Sequence, residues 1–371
     1  MKDINKDPFE EYIRQTDPGK RDLGYAWYTA IGLQAVDGLT TSEYLKNAAR
    51  ENIEGKISLS QANELIESYY LESKSKENKD VLEADLVSAR IASILSERAF
   101  TFSVPQYIGI HKRLFEGIYS HAGKVRDYNI TKKEWVLDGD TVHYGTAQDI
   151  RAMLEYDFQQ EKKYDYTTES TSEIIPHLAR FVSDLWQIHA FGEGNTRTTA
   201  VFFIKYLRSM GFDVTNDIFA QNAWYFRNAL VRANFNDISA GIRESTVYLE
   251  SFLKNLLLSE HNVLQNRTLH IKWSMEKQDI GDKKQDIGDK KQDIDTASDL
   301  KLPSSLGSVT ARHIRELFAH FGYDLFFGRS DVMRVLNISA SPASDLIKKM
   351  READMIQSVL GKGKGKYSFK K

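Results

Sequence analysis

The chain contains no cysteine. This absence removes disulfides, thiol nucleophiles and thiolate metal sites together, so any metal must be held by oxygen or imidazole, which suits a hard ion such as Mg2+. Prolines are few, six in 371 residues, so long helices can run unbroken. No stretch approaches the roughly 18 to 20 consecutive apolar residues of a membrane span. The start, Met1-Lys-Asp-Ile-Asn-Lys-Asp7, has no apolar secretion core. These two absences point to the cytoplasm and away from a membrane. Neither sign of charge dominates. Fifty Lys and Arg stand against 52 Asp and Glu, a formal −2 at pH 7, which excludes a uniformly basic nucleic-acid coat. What is present is material for a core, 41% hydrophobic and 11% aromatic, on a length that suggests two or three domains.

Periodicity predicts a mostly α protein. Ile174, Ile175, Leu178, Phe181, Val182, Leu185 and Trp186 fall on one wide helical stripe ending at Ile188. A second stripe, Val201, Phe202, Phe203, Tyr206, Leu207 and Met210, is closed by Gly211, suited to a left-handed cap. Farther on, Lys277-Gln-Asp-Ile-Gly-Asp-Lys283 repeats as Lys284 to Lys290 and begins again at Lys291. One apolar residue per seven is too few for a coiled-coil seam, so the repeat reads as a solvated linker. From Ser304 onward twelve cations face six anions, a local +6 that leaves −8 for everything before it.

Between the two stripes lies His189-Ala-Phe-Gly-Glu-Gly-Asn-Thr-Arg197. Asn195 is a good N-cap, and the helix it opens would point unpaired N–H groups back into the loop, a natural anion site. Gly192 and Gly194 would let backbone approach a ligand without a Cβ in the way. Arg197, one turn in, offers a planar cation for a polyphosphate. Glu193 beside an anion site makes sense when a cation bridges them, as Mg2+ does between a carboxylate and phosphate oxygens. His189 supplies a base titrating near neutral pH. Together these residue types fit the transfer of a phosphate-linked group to a hydroxyl. The alternative is an ordinary helix–helix connection.

This segment resembles the active-site motif of the Fic (Fido) family, matching it at His189, Phe191, Glu193, Gly194, Asn195 and Arg197. The resemblance implies a helical bundle with a small β-hairpin flap, and AMP transfer from ATP to a hydroxyl of a target protein or of the chain itself. It implies His189 as general base and Glu193 as the Mg2+ ligand. Gly194 and Asn195 would lie at the α-phosphate and Arg197 at the outer phosphates, with Thr196 among the nucleotide-binding residues. Ala190 and Thr196 replace the family's Pro and Gly. Ala200 stands where a second Arg is expected, which puts ATP as the donor in question and leaves room for another phosphate-linked donor.

Gly123 to Ile130 and Trp135 to Tyr144, turning at Asp138-Gly139-Asp140, read as a hairpin. By the resemblance it is the flap on which a target docks as an added strand, with Ile130, Thr131, Lys132 and Lys133 on its nucleotide-facing edge; an ordinary surface hairpin is the alternative. Trp224-Tyr-Phe226 cannot all share one helix face. Tyr225 and Asn234 are candidates for an adenine wall, with core packing the other reading.

Near the N-terminus, Ala30 to Thr40, a helix from Ser42, and another opened by Glu54-Gly-Lys-Ile-Ser58 form a three-helix unit. It resembles the antitoxin-like module that inhibits Fic enzymes. Asp37 and Gly38 align with its inhibitory Glu-Gly, and with Ala200 in place of the second Arg, Asp37 is expected to lack an arginine partner and to clamp poorly. After the linker, a helix from Ser330, a helix from Ser341 with Pro in its first turn, and strand-like Ile356 to Leu360 and Lys366 to Phe369 around Gly361-Lys-Gly-Lys-Gly-Lys366 resemble a winged helix. That implies contact with DNA through the second helix and the Gly-Lys wing, or docking on protein.

The expected order is therefore a regulatory module at 1–75, a catalytic domain at 76–262, a repeat-containing linker at 263–303 and a winged-helix domain at 304–371. The expected activity is Mg2+-dependent AMP transfer from ATP. The alternatives are a Fic-like protein of low or altered activity acting as a DNA-binding regulator, and a Fic enzyme using another donor.

Overall fold

A computed structural model describes residues 9, 12, 17–72, 78–167, 169–214 and 217–273, and then 310, 313–314, 317–318, 321, 327–336, 340–353, 355–359 and 366–370. The chain divides into two compact units, Met1–Trp273 and Ser274–Lys371.

The first unit is helical. It contains α1 (Pro18–Gly32), a 3-10 turn (Leu33–Asp37), α2 (Glu43–Ile53), α3 (Leu59–Glu72), α4 (Lys79–Ser96), α5 (Val104–Phe115), α6 (Ile150–Lys163), α7 (Thr171–Ile188), α8 (Asn195–Ser209), α9 (Ile218–Gln221), α10 (Ala223–Ala233), α11 (Val247–Leu258) and α12 (Asn266–Leu269). Local chemistry sets the boundaries. Asp17 caps α1 through Gly19 N–H at 2.9 Å, Ser42 caps α2 through Leu45 N–H at 3.1 Å, and Ser170 with Glu173 forms a capping box at the start of α7. The α7 stripe is buried as its spacing predicts, and Gly211 follows α8 with φ 89°.

Every residue of α8 from Asn195 to Leu207 is buried, the pattern of a helix enclosed on all sides. It packs against α4, α5 and α7, and against the 3-10 turn. One apolar core runs from Trp27 through Ile91 and Phe202 to Phe252, so the helices of 18–72 share a core with those that follow. The 3-10 turn also touches α10, which brings Asp37, Gly38 and α10 to one end of α8.

The segment from 123 to 144 departs from the expected hairpin. It turns where the sequence places the turn, with Asp138 at φ 56° and Gly139 at φ 89°. Glu134 N–H donates to Asp140 O at 2.8 Å. Before the turn, however, the chain forms a short 3-10 turn, Trp135–Leu137, and no strand pairing is described. The physical reason is inward demand: Val136, Leu137, Val142 and Glu134 are all buried, so these side chains bind the segment to the body rather than to each other. We call it the strap.

The second unit contains α13 (Arg329–Leu336), α14 (Ala340–Glu352), β1 (Ile356–Ser358) and β2 (Tyr367–Phe369). β1 and β2 pair antiparallel with Ile356 opposite Phe369, and Phe327 bridges to Tyr367. Phe318, Phe327, Met350 and Phe369 form its own core. The repeat at 277–294 and the Gly-Lys wing at 361–365 lie outside the described residues. Among the described residues no helix is long and apolar enough to cross a membrane.

Candidate functional site

α7 ends in His189, which takes the left-handed conformation at φ 49°. For a residue with a Cβ this costs on the order of 1 kcal/mol, and it turns the imidazole into the body. The ring is 3% exposed, 4.1 Å from the Tyr144 ring and 5.2 Å from Trp186. Neither ring nitrogen makes a well-formed hydrogen bond within the protein, although the Trp186 carbonyl leans toward the ring. Burial first, and the Lys132 cation second, hold its pKa well below the ordinary histidine value. The expectation of a group titrating near neutrality is thus corrected. Desolvation keeps His189 neutral, in its proton-accepting form, throughout the physiological range.

The loop that follows is built differently from its sequence reading. Gly194, at φ 75°, is the N-cap of α8, and Asn195 is the first helical residue. The Asn195 side chain closes the loop on itself: Phe191 N–H donates to Oδ1 at 2.9 Å, and Nδ2 donates to Phe191 O at 2.7 Å. Thr196 Oγ1 accepts from Trp186 Nε1 at 3.0 Å. Both side chains are committed to holding the loop. Gly194 is required by the protein itself, whereas at Gly192 the close neighbour is the tip of the exposed Tyr128 side chain. A Cβ on Gly194 would lie 2.3 Å from the Phe115 ring, and one on Gly192 would lie 2.6 Å from Tyr128 Oη. His111 locks the loop from α5. Its Nδ1 accepts from Gly123 N–H at 2.9 Å, so Nε2 carries the proton and donates to Glu193 O at 3.0 Å, while the ring stacks on Phe191 at 3.7 Å.

Beside the loop lies a cleft of about 450 Å3 lined by Asp37, Glu83, Glu193, Arg197, Trp224 and Arg227 among others. Arg197 is 1% exposed and fully engaged. Its Nη2 donates to Glu83 Oε1 at 2.6 Å, its Nη1 donates to Gln34 Oε1 at 3.0 Å, and its Nε stands 2.8 Å from Asp37 Oδ2, an ion-pair contact rather than an aligned hydrogen bond. Burial alone would depress its pKa; Asp37, Tyr119 and Glu83 overcome that and raise it. The expectation that Asp37 lacks an arginine partner is corrected. Asp37 takes the first arginine of the motif, because the 3-10 turn that it ends packs directly on α8. Ala200 is completely buried, so the position has no room for a longer side chain without repacking.

The strap covers His189 from the other side. Arg126 pins it, donating from Nε to His189 O at 2.7 Å and from Nη1 to Tyr128 O at 2.6 Å, while its own N–H donates to Ala190 O at 2.9 Å. Of the four residues expected on the strap's edge, Lys132 reaches the loop, its Nζ 2.9 Å from Glu193 Oε2. Ile130 is half-buried, and Thr131 and Lys133 are exposed. Buried Glu134 holds Arg227 at 2.6 and 3.1 Å and accepts from Tyr144 Oη at 3.1 Å.

Two candidates for the adenine wall fall elsewhere. Tyr225 is buried, its hydroxyl donating to Tyr248 O at 3.3 Å. Asn234 is buried, its Nδ2 donating to Ser183 Oγ at 2.9 Å and Leu230 O at 2.9 Å. One turn of α10 instead presents Trp224 and Arg227, spaced i and i+3, with the guanidinium 5.1 Å above the indole. That spacing was visible in the sequence. Glu83 and Gln34 carried no local signal, since they meet Arg197 from 114 and 163 residues away.

Residues 101–207 match the Fic/DOC family. That stretch is a Fic/DOC family domain, and it holds α5, the strap, α7 and most of α8, including the His189 to Arg197 loop. The cleft walls supplied by Asp37, Glu83, Trp224 and Arg227 lie outside it. Among solved structures, a crystal structure of a Fic family protein from Desulfovibrio desulfuricans G20 aligns with 97% of this chain and 90% of its own, at 12% identity and a TM-score of 0.41, too distant to transfer any residue's role. No curated protein sequence matches.

Proposed function

We propose that the chain transfers the adenylyl group of ATP to a protein hydroxyl, with His189 as general base. The observation that carries this reading is the buried, neutral imidazole without a well-formed hydrogen bond. An enclosed nitrogen lacking a partner costs about 1–3 kcal/mol, and here it sits four residues from Glu193 and eight from Arg197, which both line one cleft. In the reaction, the target oxygen bonds to the α-phosphorus, the bond to the oxygen bridging the β-phosphate breaks, and pyrophosphate leaves. His189 takes the hydroxyl proton. A neutral imidazole needs no prior deprotonation for that step, and exposure of the ring on target docking would restore the basicity that burial removes.

Mg2+ would neutralise charge on the phosphates. The residues fit it in one way. No cluster of three potential ligands exists among the described residues, so Glu193 would hold the ion by one carboxylate, with phosphate oxygens completing the shell and the Lys132 contact giving way. Asp37 and Glu83 act as competitors of the phosphates for Arg197, so this arrangement is a restrained one. Incubation of the full chain with α-labelled ATP and Mg2+ tests the reading: labelled protein is expected, and label persisting in His189→Ala rejects the base assignment. Buried Ala200 in place of a second arginine favours one further arm, a panel of labelled donors, in which a better substrate than ATP would replace adenylyl transfer with transfer of another phosphate-linked group.

The second unit, with net positive charge and, among its described residues from 329 onward, the order helix, helix, strand, strand, is read as a winged helix placing α14 on DNA. A gel shift that disappears with Lys348→Glu and Lys349→Glu supports this, and its absence leaves a protein-docking module.

A further inference from the structure

We infer that Arg227 is a second phosphate-binding cation beside Arg197, and the one that links an occupied cleft to the uncovering of His189, an inference that rests on the nucleotide reading above. The cleft is lined by two guanidinium groups, and they differ in how firmly they are held. Arg197 faces two carboxylates and an amide and is 1% exposed. Arg227 faces one carboxylate, Glu134, and its side chain is 14% exposed. An incoming polyphosphate must displace two anions to recruit the first and one to recruit the second, so Arg227 is the cation it reaches more readily. Both are planar donors able to hold phosphate oxygens in pairs.

Recruiting Arg227 has a consequence through Glu134. This carboxylate is 1% exposed, and removing its cation leaves a buried charge with too few partners. Besides Arg227, it accepts from Tyr144 Oη. Tyr144 is the residue whose ring lies 4.1 Å from His189, and Glu134 sits at the turn of the strap, where its N–H donates to Asp140 O. A contiguous line therefore runs from the cleft through Arg227, Glu134 and Tyr144 to the imidazole. When phosphate takes Arg227, Glu134 is driven toward water, Tyr144 loses its acceptor, and the strap loosens over the base. The alcohol then reaches His189 after the nucleotide has bound. This order keeps His189 covered until a nucleotide occupies the cleft.

Calorimetric titration of the full chain with ATP and Mg2+, on wild type, Arg227→Gln and Glu134→Gln, tests the inference. Arg227→Gln is expected to bind roughly ten- to a hundredfold more weakly, the loss of a paired charge-assisted contact. Glu134→Gln, which frees the arginine, is expected to bind several-fold more tightly. A merely structural role for the pair would weaken both variants. Carbethoxylation of His189, mapped by mass spectrometry, should speed up in Glu134→Gln and, in wild type, on adding ATP. Should Arg227→Gln fail to fold, Glu134→Gln decides alone: unchanged or weaker binding overturns the inference. Wild type that binds ATP while Arg227→Gln binds equally well rejects this inference and leaves the adenylyl-transfer reading standing. Wild type that binds no nucleotide rejects both.

Discussion

Asp37→Asn isolates the competition for Arg197. The substitution preserves shape and removes one charge from a cation that is 1% exposed, at a carboxylate whose side chain is 32% exposed. A fully buried charge-assisted contact contributes about 1.5–3 kcal/mol. With one partner a third exposed, solvent screening reduces this to about 1–2 kcal/mol. If nucleotide binding requires Arg197 to leave Asp37, that amount is the free energy separating held from released arginine, and removing it raises the apparent ATP affinity roughly 5- to 30-fold. Glu83 and Gln34 remain on the guanidinium, so the arginine is not orphaned and the fold should lose no more than about 1–2 kcal/mol, a few degrees in melting temperature. Calorimetric titration with ATP and Mg2+, alongside a thermal melt and the α-label assay, reads both. A folded Asp37→Asn protein whose ATP affinity and labelling match wild type would refute the reasoning, because Arg197 would then not be the restrained cation.

Two further outcomes follow from the loop and its support. Burial pushes the His111 pKa down to about 4, against about 6.5 for the unfolded chain. A depressed histidine binds its proton more readily when unfolded, so its stabilising contribution is complete above pH 6.5 and is lost as pH falls toward 4; the full effect is about 3 kcal/mol. Melting temperature measured from pH 7 to 4 should therefore fall less steeply in His111→Gln than in wild type, and parallel profiles would contradict the assignment. Gly194→Ala forces a Cβ into a left-handed backbone and to 2.3 Å from the Phe115 ring, for a combined loss of about 2–4 kcal/mol. Chemical denaturation should show that loss, and Phe115→Leu in the same chain should recover part of it; no destabilisation would mean the loop is looser than described.

The sequence by itself determined the helical class, where α7 and α8 end, and the position of the loop between them. Each follows from spacing or from a cap within a few residues, as with the stripe from Ile174 to Trp186 and Gly211. It also determined that His189, Glu193 and Arg197 would emerge from one corner, since they share nine consecutive positions. What those side chains face was decided by tertiary structure. Arg197 meets Glu83 and Gln34 from distant helices, and Asp37 reaches it because the 3-10 turn packs on α8. Asn195 and Thr196 turn inward because Phe191 and Trp186 offer them partners. The strap is bound by inward-facing Val136, Leu137 and Val142 and by Arg126, so it is held to the body through its side chains and forms no paired strands. Tyr225 and Trp224 are neighbours in sequence, yet one is core and the other lines the cleft, because the rotation of α10 is fixed by what packs against it. Helical periodicity is a local property of the chain, whereas the partner of a buried charge is settled by which distant carboxylate the packed core brings within about 3 Å.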